Sequence, residues 1–448
     1  MAHDLDALTR ALLKAARDAG AEAADAIAVA GDTQSIEVRN GALEQAERAE
    51  GVDIGLRVLI GHRQAHVSAS DISARTIEEM AARAVAMARE APEDPWCGLA
   101  DPDQLARDWD VAALELEDPS PMPDAAALKD AALRAEAAAL GVPGISRMDA
   151  AGAGWSASRV HLAATNGFSG GYGRTGHSVQ AVAICGEGLA MERDYAFESR
   201  VHQGDLPDPE SIGRLAGERA ASRAGASKPP TGAWPVLYDE RVASGLIGHL
   251  VQAVNGAMIA RGSSWLKGAM GETVLPDGVD LVEDPARPRV SGSRPFDGEG
   301  LPVGPRALVE NGVLRSWILD LATARQLGLA STGNASRGAG GLPGPSAGNL
   351  TLTPGKRTRE DLMSEMGTGL LITSMMGSSI NPNTGDYSRG ASGFWVENGE
   401  ITRPVNECTV AGNLRDMLRG FTAANDGRAH QSRVVPSLLV EGLVIAGS

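Results

Sequence analysis

The sequence predicts an α+β protein: an N-terminal domain over residues 1–225, in which antiparallel sheet packs with helices, and a mostly β, barrel- or sandwich-like domain over residues 231–448. Three observations lead there. Apolar residues alternate with period two through much of the chain and switch to helical spacing in a few bounded stretches. Asn-Gly pairs at Asn40-Gly41, Asn166-Gly167, Asn311-Gly312 and Asn398-Gly399 punctuate β-rich runs, and this dipeptide accepts the positive φ of a tight hairpin turn. Finally, Gly225 and the breaker Lys228-Pro229-Pro230 close a helix midway along the chain and mark a boundary.

Taken in order, Leu5, Leu8, Leu12 and Leu13 define one face of a first helix that Gly20 stops. From Asp25 to Ser70, β-rich runs broken at Asn40-Gly41, Gly51 and Gly61 read as an antiparallel meander. A helix follows, with an Asp/Ser cap around Asp71 and Ser73 and a packing face of Ile77, Met80, Ala84 and Met87. Prolines between Pro92 and Pro123 mark an irregular connection to an alanine-rich helix from about Asp124 to Leu140. Alternation returns from Ser146 to Glu198, so a helix-and-strand pattern repeats in outline, and a helix from about Pro209 to Ala224 ends the domain. Beyond the boundary, WPVLYD reads as a strand, VASGLIGHLVQAVNGAMIARG as one buried helix, and the remainder as Gly- and Pro-rich strands with little helix. A short helix at Asn413–Met417 and the closing strand SLLVEGLVIAG are the exceptions and the end.

Composition excludes several function classes. The 448 residues allow two or three domains. With Lys+Arg 41 against Asp+Glu 57, the formal charge is −16 and no basic run interleaves with aromatics, which argues against nucleic-acid binding. Cys97, Cys185 and Cys408 are far apart and form no CxxC pair, against both a disulfide framework and a thiolate zinc knuckle. The N-terminal stretch carries early acids instead of a basic and then apolar signal, and no run of about 18 apolar residues occurs. No export signal and no membrane span are expected, and the expected location is cytoplasmic.

The most feature-dense stretch is Asn381–Asn413. Turn signals at Asn383–Asp386 and Glu397–Glu400 flank Asp386, Tyr387, Ser388, Arg389 and Gly390, a candidate peptide- or partner-facing surface. An Asp386–Arg389 ion pair around a turn is expected to hold Tyr387. Catalytic motifs are missing. None of the eight histidines is followed by Glu, as a zincin helix requires. His62 and His66 lie in strand-like flanks that would hold them about 13 Å apart, too far to share a metal, and are expected to face solvent. The glycine runs Gly171–Gly176 and Gly338–Gly344 lack a phosphate loop's lysine and read as turns. His249 reads as a core histidine bonded to a carbonyl, and Asp297 and Glu299 as solvated turn-formers.

The run from Thr384 to Met417, RPFDGEGLP followed by ENGVLRSWILD, and ARGSSWL together resemble the TldD/PmbA family, and within it the PmbA/TldE branch. The resemblance covers most of the chain. It implies a relation to a zinc metallopeptidase complex that trims peptide precursors or degrades antitoxins, in which a TldD-like subunit carries a HExxxH zinc helix. Aligning ARGSSW with that subunit places Ile247, Gly248 and Gln252 at the first His, the Glu and the second His; Ile and Gly have no ligating atom and Gln is a poor zinc ligand. The region from Asn425 to Pro436 also lacks the active subunit's cysteine. The resemblance therefore implies a non-catalytic partner subunit with no cofactor of its own, zinc being expected in a TldD-like partner, and with peptide as substrate. Apolar runs such as GLLITSMMG and SLLVEGLVIAG are the expected partner contact, read as edge strands needing cover. The alternatives are a self-sufficient hydrolase around Asp386, Ser388 and Arg389, or a binding protein for a regulator.

Overall fold

The computed structural model describes residues 3–447; Met1 and Ala2 of the N-terminal stretch, and Ser448, lie outside them. Helix α1 (Leu5–Asp18) is capped by the Asp4 carboxylate and buries Leu5 and Leu12. Strands β1 (Ala23–Arg39), β2 (Ala42–Ile60) and β3 (Arg63–Ala69) then meander antiparallel, and α2 (Ala74–Glu90) returns over them. The expected runs are in fact long single strands. Gly51 does not break β2, because it pairs directly with Gly31. The α2 face turns through Ala81, Val85 and Ala88 and leaves Met87 exposed.

The same unit recurs: α3 (Ala125–Leu140), β4 (Ile145–Ala164), β5 (Ser169–Cys185), β6 (Glu192–Arg200) and α4 (Pro209–Ala221). The six strands form one sheet in the order β3-β2-β1-β4-β5-β6, so each helix–three-strand–helix unit is the reverse of the other about the antiparallel β1–β4 pair. All four helices cover one face. Alternation sends Ala24, Ala26, Ala28, Ile36 and Val38 of β1 to that face, where two apolar clusters form with α1/α2 and with α3/α4. Residues Gly171–Gly176, expected to be turn, are the middle of β5.

The second half begins with β7 (Gly232–Tyr238), α5 (Glu240–Ala253) and α6 (Gly256–Ala260). The expected single helix is two, because Asn255 caps α6, accepting from Ala257 N at 3.0 Å, and donates to the Pro345 carbonyl at 2.7 Å. Short strands β8 (Leu281–Glu283), β9 (Arg306–Glu310) and β10 (Val313–Leu314) follow, then α7 (Leu321–Leu327), bridges β11 (Ala335–Ser336) and β12 (Gly344–Pro345), β13 (Leu350–Leu352) and α8 (Arg359–Met366). The chain closes with β14 (Gly369–Ile380), β15 (Asp386–Glu397), β16 (Glu400–Asn413), α9 (Leu414–Arg419), β17 (Thr422–Ala423), β18 (Arg433–Val434) and β19 (Leu438–Ala446). Helices α7 and α8 interrupt a region expected to hold little helix, while α9 is the short helix expected at Asn413–Met417.

Strands β16, β15, β14, β7 and β19 are hydrogen-bonded in sequence and β16 pairs back to β19, which closes a five-stranded barrel. The β15–β16 turn uses Asn398 and Gly399, both at positive φ, as the Asn-Gly signal requires. Closure corrects one expectation. GLLITSMMG and SLLVEGLVIAG lie in β14 and β19, which are interior strands of the barrel and not edges, β14 pairing with β15 along its length and with β7 through Leu370–Ile372. Inward residues such as Val236, Tyr238, Ile372, Tyr387 and Val440 form one cluster with the buried side of α5, while Leu237, Leu371, Val396 and Leu439 face out under α8.

Candidate functional site

Helix α5 is held at both ends. Asp239 caps it, accepting from Arg241 N, and joins a buried network in which Asp194 receives Arg223 (2.7 Å) and Arg241 (3.1 Å). At the other end the Ser264 hydroxyl donates to the Ala253 carbonyl at 2.6 Å. Arg415 stacks on Trp265 with its guanidinium carbon 5.7 Å from the ring centroid and donates to the Trp265 carbonyl. The ARGSSWL and NLRDM motifs therefore fix the helix that the family resemblance singles out.

Positions five apart on a regular helix point about 140° away from each other. Ile247 is accordingly 1 % exposed inside the barrel cluster, whereas Gln252 is exposed. Gly248 has no side chain, and the Arg433 guanidinium lies over it, 3.5 Å from where a β-carbon would stand. These residues do not fit a zinc ion: one offers hydrocarbon, one nothing and one an amide. Among the described residues, no cluster of three or more His, Cys, Asp and Glu side chains gathers at metal-binding distance.

The five residues Asp386–Gly390 are strand and do not form one cluster. Tyr387 is buried and its hydroxyl donates to the Met375 sulfur at 3.4 Å. Arg389, two residues on and on the same face, donates to the Gly377 carbonyl at 2.8 Å and lies 3.9 Å from a β-carbon position on Gly245 of α5. Asp386 and Ser388 face the other way. Asp386 accepts from Thr384 (2.6 Å) and Asn413 (3.1 Å), which hold its carboxyl below the ordinary range. The expected Asp386–Arg389 ion pair does not form, because a three-residue step along a strand changes face. Gly390 passes close to the Met376 carbonyl.

His249 stacks edge-on against Tyr387, ring centroids 5.8 Å apart, and its buried Nε2 has no hydrogen-bond partner in place of the expected carbonyl. Burial and the nearby Arg389 charge lower its pKa. His66 is half-buried and bonded to the Ala339 carbonyl at 2.9 Å, contrary to the solvent-facing expectation, while His62 is exposed.

On one side of α5, Ser244 and Arg433 line a cleft of about 280 Å³ whose opposite wall is β6, from Phe197 to Arg200. His249 and Gln252 line a second cavity of about 250 Å³ with Trp265 and Ser378.

The largest departure from expectation is at Asp297 and Glu299, which are 2 % and 8 % exposed. Asp297 accepts three backbone N–H bonds, from Glu299, Leu301 and Ala335, at 2.9 to 3.0 Å. Glu299 accepts one, from Leu321. Burial pushes Asp297 up to about 6; burial, then the Asp297 carboxylate, push Glu299 up to about 8. The extra donors on Asp297 make Glu299 the member that keeps its proton. The flanking Phe296 and Leu301, both buried, were the sequence signal for an interior turn.

The C-terminal domain of the PmbA/TldA metallopeptidases matches residues 231–447, their domain 1 matches 24–88 and their central domain 117–224. The metalloprotease PmbA of Escherichia coli O157:H7 is 37 % identical over 92 % of this chain and 90 % of its own length. The chain belongs to the PmbA/TldD metallopeptidase family. A PmbA homologue of Haemophilus influenzae is 34 % identical over 92 % of this chain and 90 % of its own. Among solved structures, a putative modulator of DNA gyrase from Bacteroides thetaiotaomicron superposes with a TM-score of 0.88 at 27 % identity, covering 99 % of this chain and 98 % of that one. TldE of Thermococcus kodakarensis, at 20 % identity, shares the fold with a TM-score of 0.84 over 98 % of this chain and all of its own.

Proposed function

We propose that this chain is the non-catalytic, PmbA/TldE-like subunit of a cytosolic zinc metallopeptidase complex, and that it encloses peptide substrate together with a TldD-like, HExxxH-bearing partner. The observation that carries the reading is the composition of α5: Ile247 packs into the barrel, Gly248 lies under a guanidinium and Gln252 presents an amide. A helix of this kind keeps its place in the fold while offering no Lewis acid and no general base. The pairing surface is expected to include the outer edge of β2. That strand pairs with β1 along its length but with β3 only from Ile54 to Ile60, leaving residues 42–51 exposed. The test is co-expression with a HExxxH-bearing homologue, following size-exclusion mass and peptidase rate. Co-elution with peptidase activity dependent on both chains supports the reading; a homologue fully active alone that never co-elutes at low or physiological salt overturns it.

A further inference from the structure

We propose that the cleft between β6 and α5 is a carboxylate-binding subsite for peptides, with Arg433 as the group that holds the anion. This rests on the reading of the chain as a peptide-handling subunit and adds what that subunit would grip.

The argument starts from charge matching. In a chain of net charge −16, guanidinium groups are expected to find carboxylates, and around this cleft most do. Glu198 is engaged by Arg200 at 2.7 Å, by Arg428 and by His430 at 3.5 Å. Arg289 is held by Glu115 and Asp205. Arg433 has no acidic partner among the described residues, is exposed, and projects into the cleft over Gly248.

The remaining walls suit a peptide. Ser244, Ser291 and Ser432 bring hydroxyls to the cleft, and Phe197, 49 % exposed, supplies an apolar patch beside them. An arginine fork recognises a carboxylate through two parallel N–H donors, which neither a lysine nor a hydroxyl reproduces. With Glu198 already committed, no acid in the cleft is left to compete for Arg433.

The test uses the full chain, alone and with any subunit that co-purifies, and three dye-labelled octapeptides followed by fluorescence anisotropy. The first has a free C-terminus and no acidic side chain, the second is its C-terminal amide, and the third is that amide with one internal Glu. The free acid is expected to bind about tenfold more tightly than the amide, and Arg433→Gln to erase that difference. Arg433→Lys, which keeps the charge and loses the fork, should retain part of it, and unchanged melting of both variants shows that the fold is intact. Recovery of affinity in the third peptide assigns the subsite to any peptide carboxylate, and no recovery assigns it to the C-terminus; both support the proposal. Equal binding of acid and amide, discrimination that survives in Arg433→Gln, or displacement by inorganic phosphate at concentrations no higher than the free-acid peptide requires, overturns it. None of these outcomes depends on whether a partner co-elutes, so the subsite can fail while the subunit reading stands.

Discussion

The two faces of the six-stranded sheet bury surface of opposite kinds. Toward the helices it presents mainly small and branched apolar residues, Ala24, Ala26, Leu56 and Val58 among them, with polar contacts at single points such as Thr9 to His161 at 2.9 Å. Toward the barrel half, the intervening residues of the same strands are Asp25, Gly55 and Arg57. There Arg57 donates to Asp25 at 2.7 Å, Arg337 joins from the loop after β11, and Asp297 and Glu299 lie in the adjoining interior. Beside this charged patch, Ile27, Leu162, Phe168 and Phe296 form a small apolar cluster. The apolar face holds its helices by area and tolerates repacking; the charged face has one geometry in which its groups are satisfied, and so fixes how sheet and barrel halves meet.

The comparison is most easily broken on the charged side. Asp25→Ala leaves the buried guanidiniums of Arg57 and Arg337 without their carboxylate and is expected to cost about 3–5 kcal/mol, measured by denaturant unfolding. On the apolar face, Leu56→Ala should cost about 3 kcal/mol by transfer and cavity terms alone, with no change in salt dependence. Equal salt sensitivity of the two variants would erase the distinction.

The acid pair sharpens the comparison through pH. Glu299 rises from an ordinary 4.5 to about 8 in the folded state, so between those values the folded chain holds a proton that the unfolded chain has released. Its contribution is therefore fully present below about pH 4.5 and is lost as pH rises toward 8, by about 3 kcal/mol at pH 7. Asp118, held down to about 2 against burial by backbone donors from Gln203 and Ser120, acts in the opposite direction, losing stability as pH falls from about 4 toward 2. Glu299→Gln should flatten the decline above pH 5 in thermal melts and leave the acid limb unchanged.

The smallest effect is steric. A β-carbon on Gly55 would meet the Ala339 carbonyl at 2.3 Å, so Gly55→Ala must push the loop off the sheet and is expected to cost about 1–3 kcal/mol. Hydrogen exchange should localise the loosening to residues around Ala339.

The same contrast explains how much was legible in the sequence. Helix α1, the long hairpins and the repeated helix-and-strand pattern were readable because period and turn chemistry are local: Leu5 and Leu12, or Asn398 with Gly399, announce themselves within a few residues. The mostly β, barrel- or sandwich-like second half was also readable; the choice between the two was not, since the closing β16–β19 pairing is a short stretch of ladder between segments distant in the chain. Nor was the interior position of Glu299, whose surroundings come from Arg57 and Leu321, far off in the chain. At the site, the resemblance pointed to residues 247, 248 and 252, which the structure places on α5. The expected Asp386–Arg389 pair does not form because the glycine-flanked polar cluster is strand and not turn. The pairing of Arg433 with Gly248, from opposite ends of the second half, had no local signal at all.

The most direct test of the functional account is elemental analysis of the purified chain together with a peptidase assay, with and without chelator. The account predicts no stoichiometric zinc on the isolated chain and no cleavage by it, both appearing when a HExxxH-bearing partner is added. About one tightly held zinc per isolated chain, with peptidase activity that chelation abolishes, would contradict it.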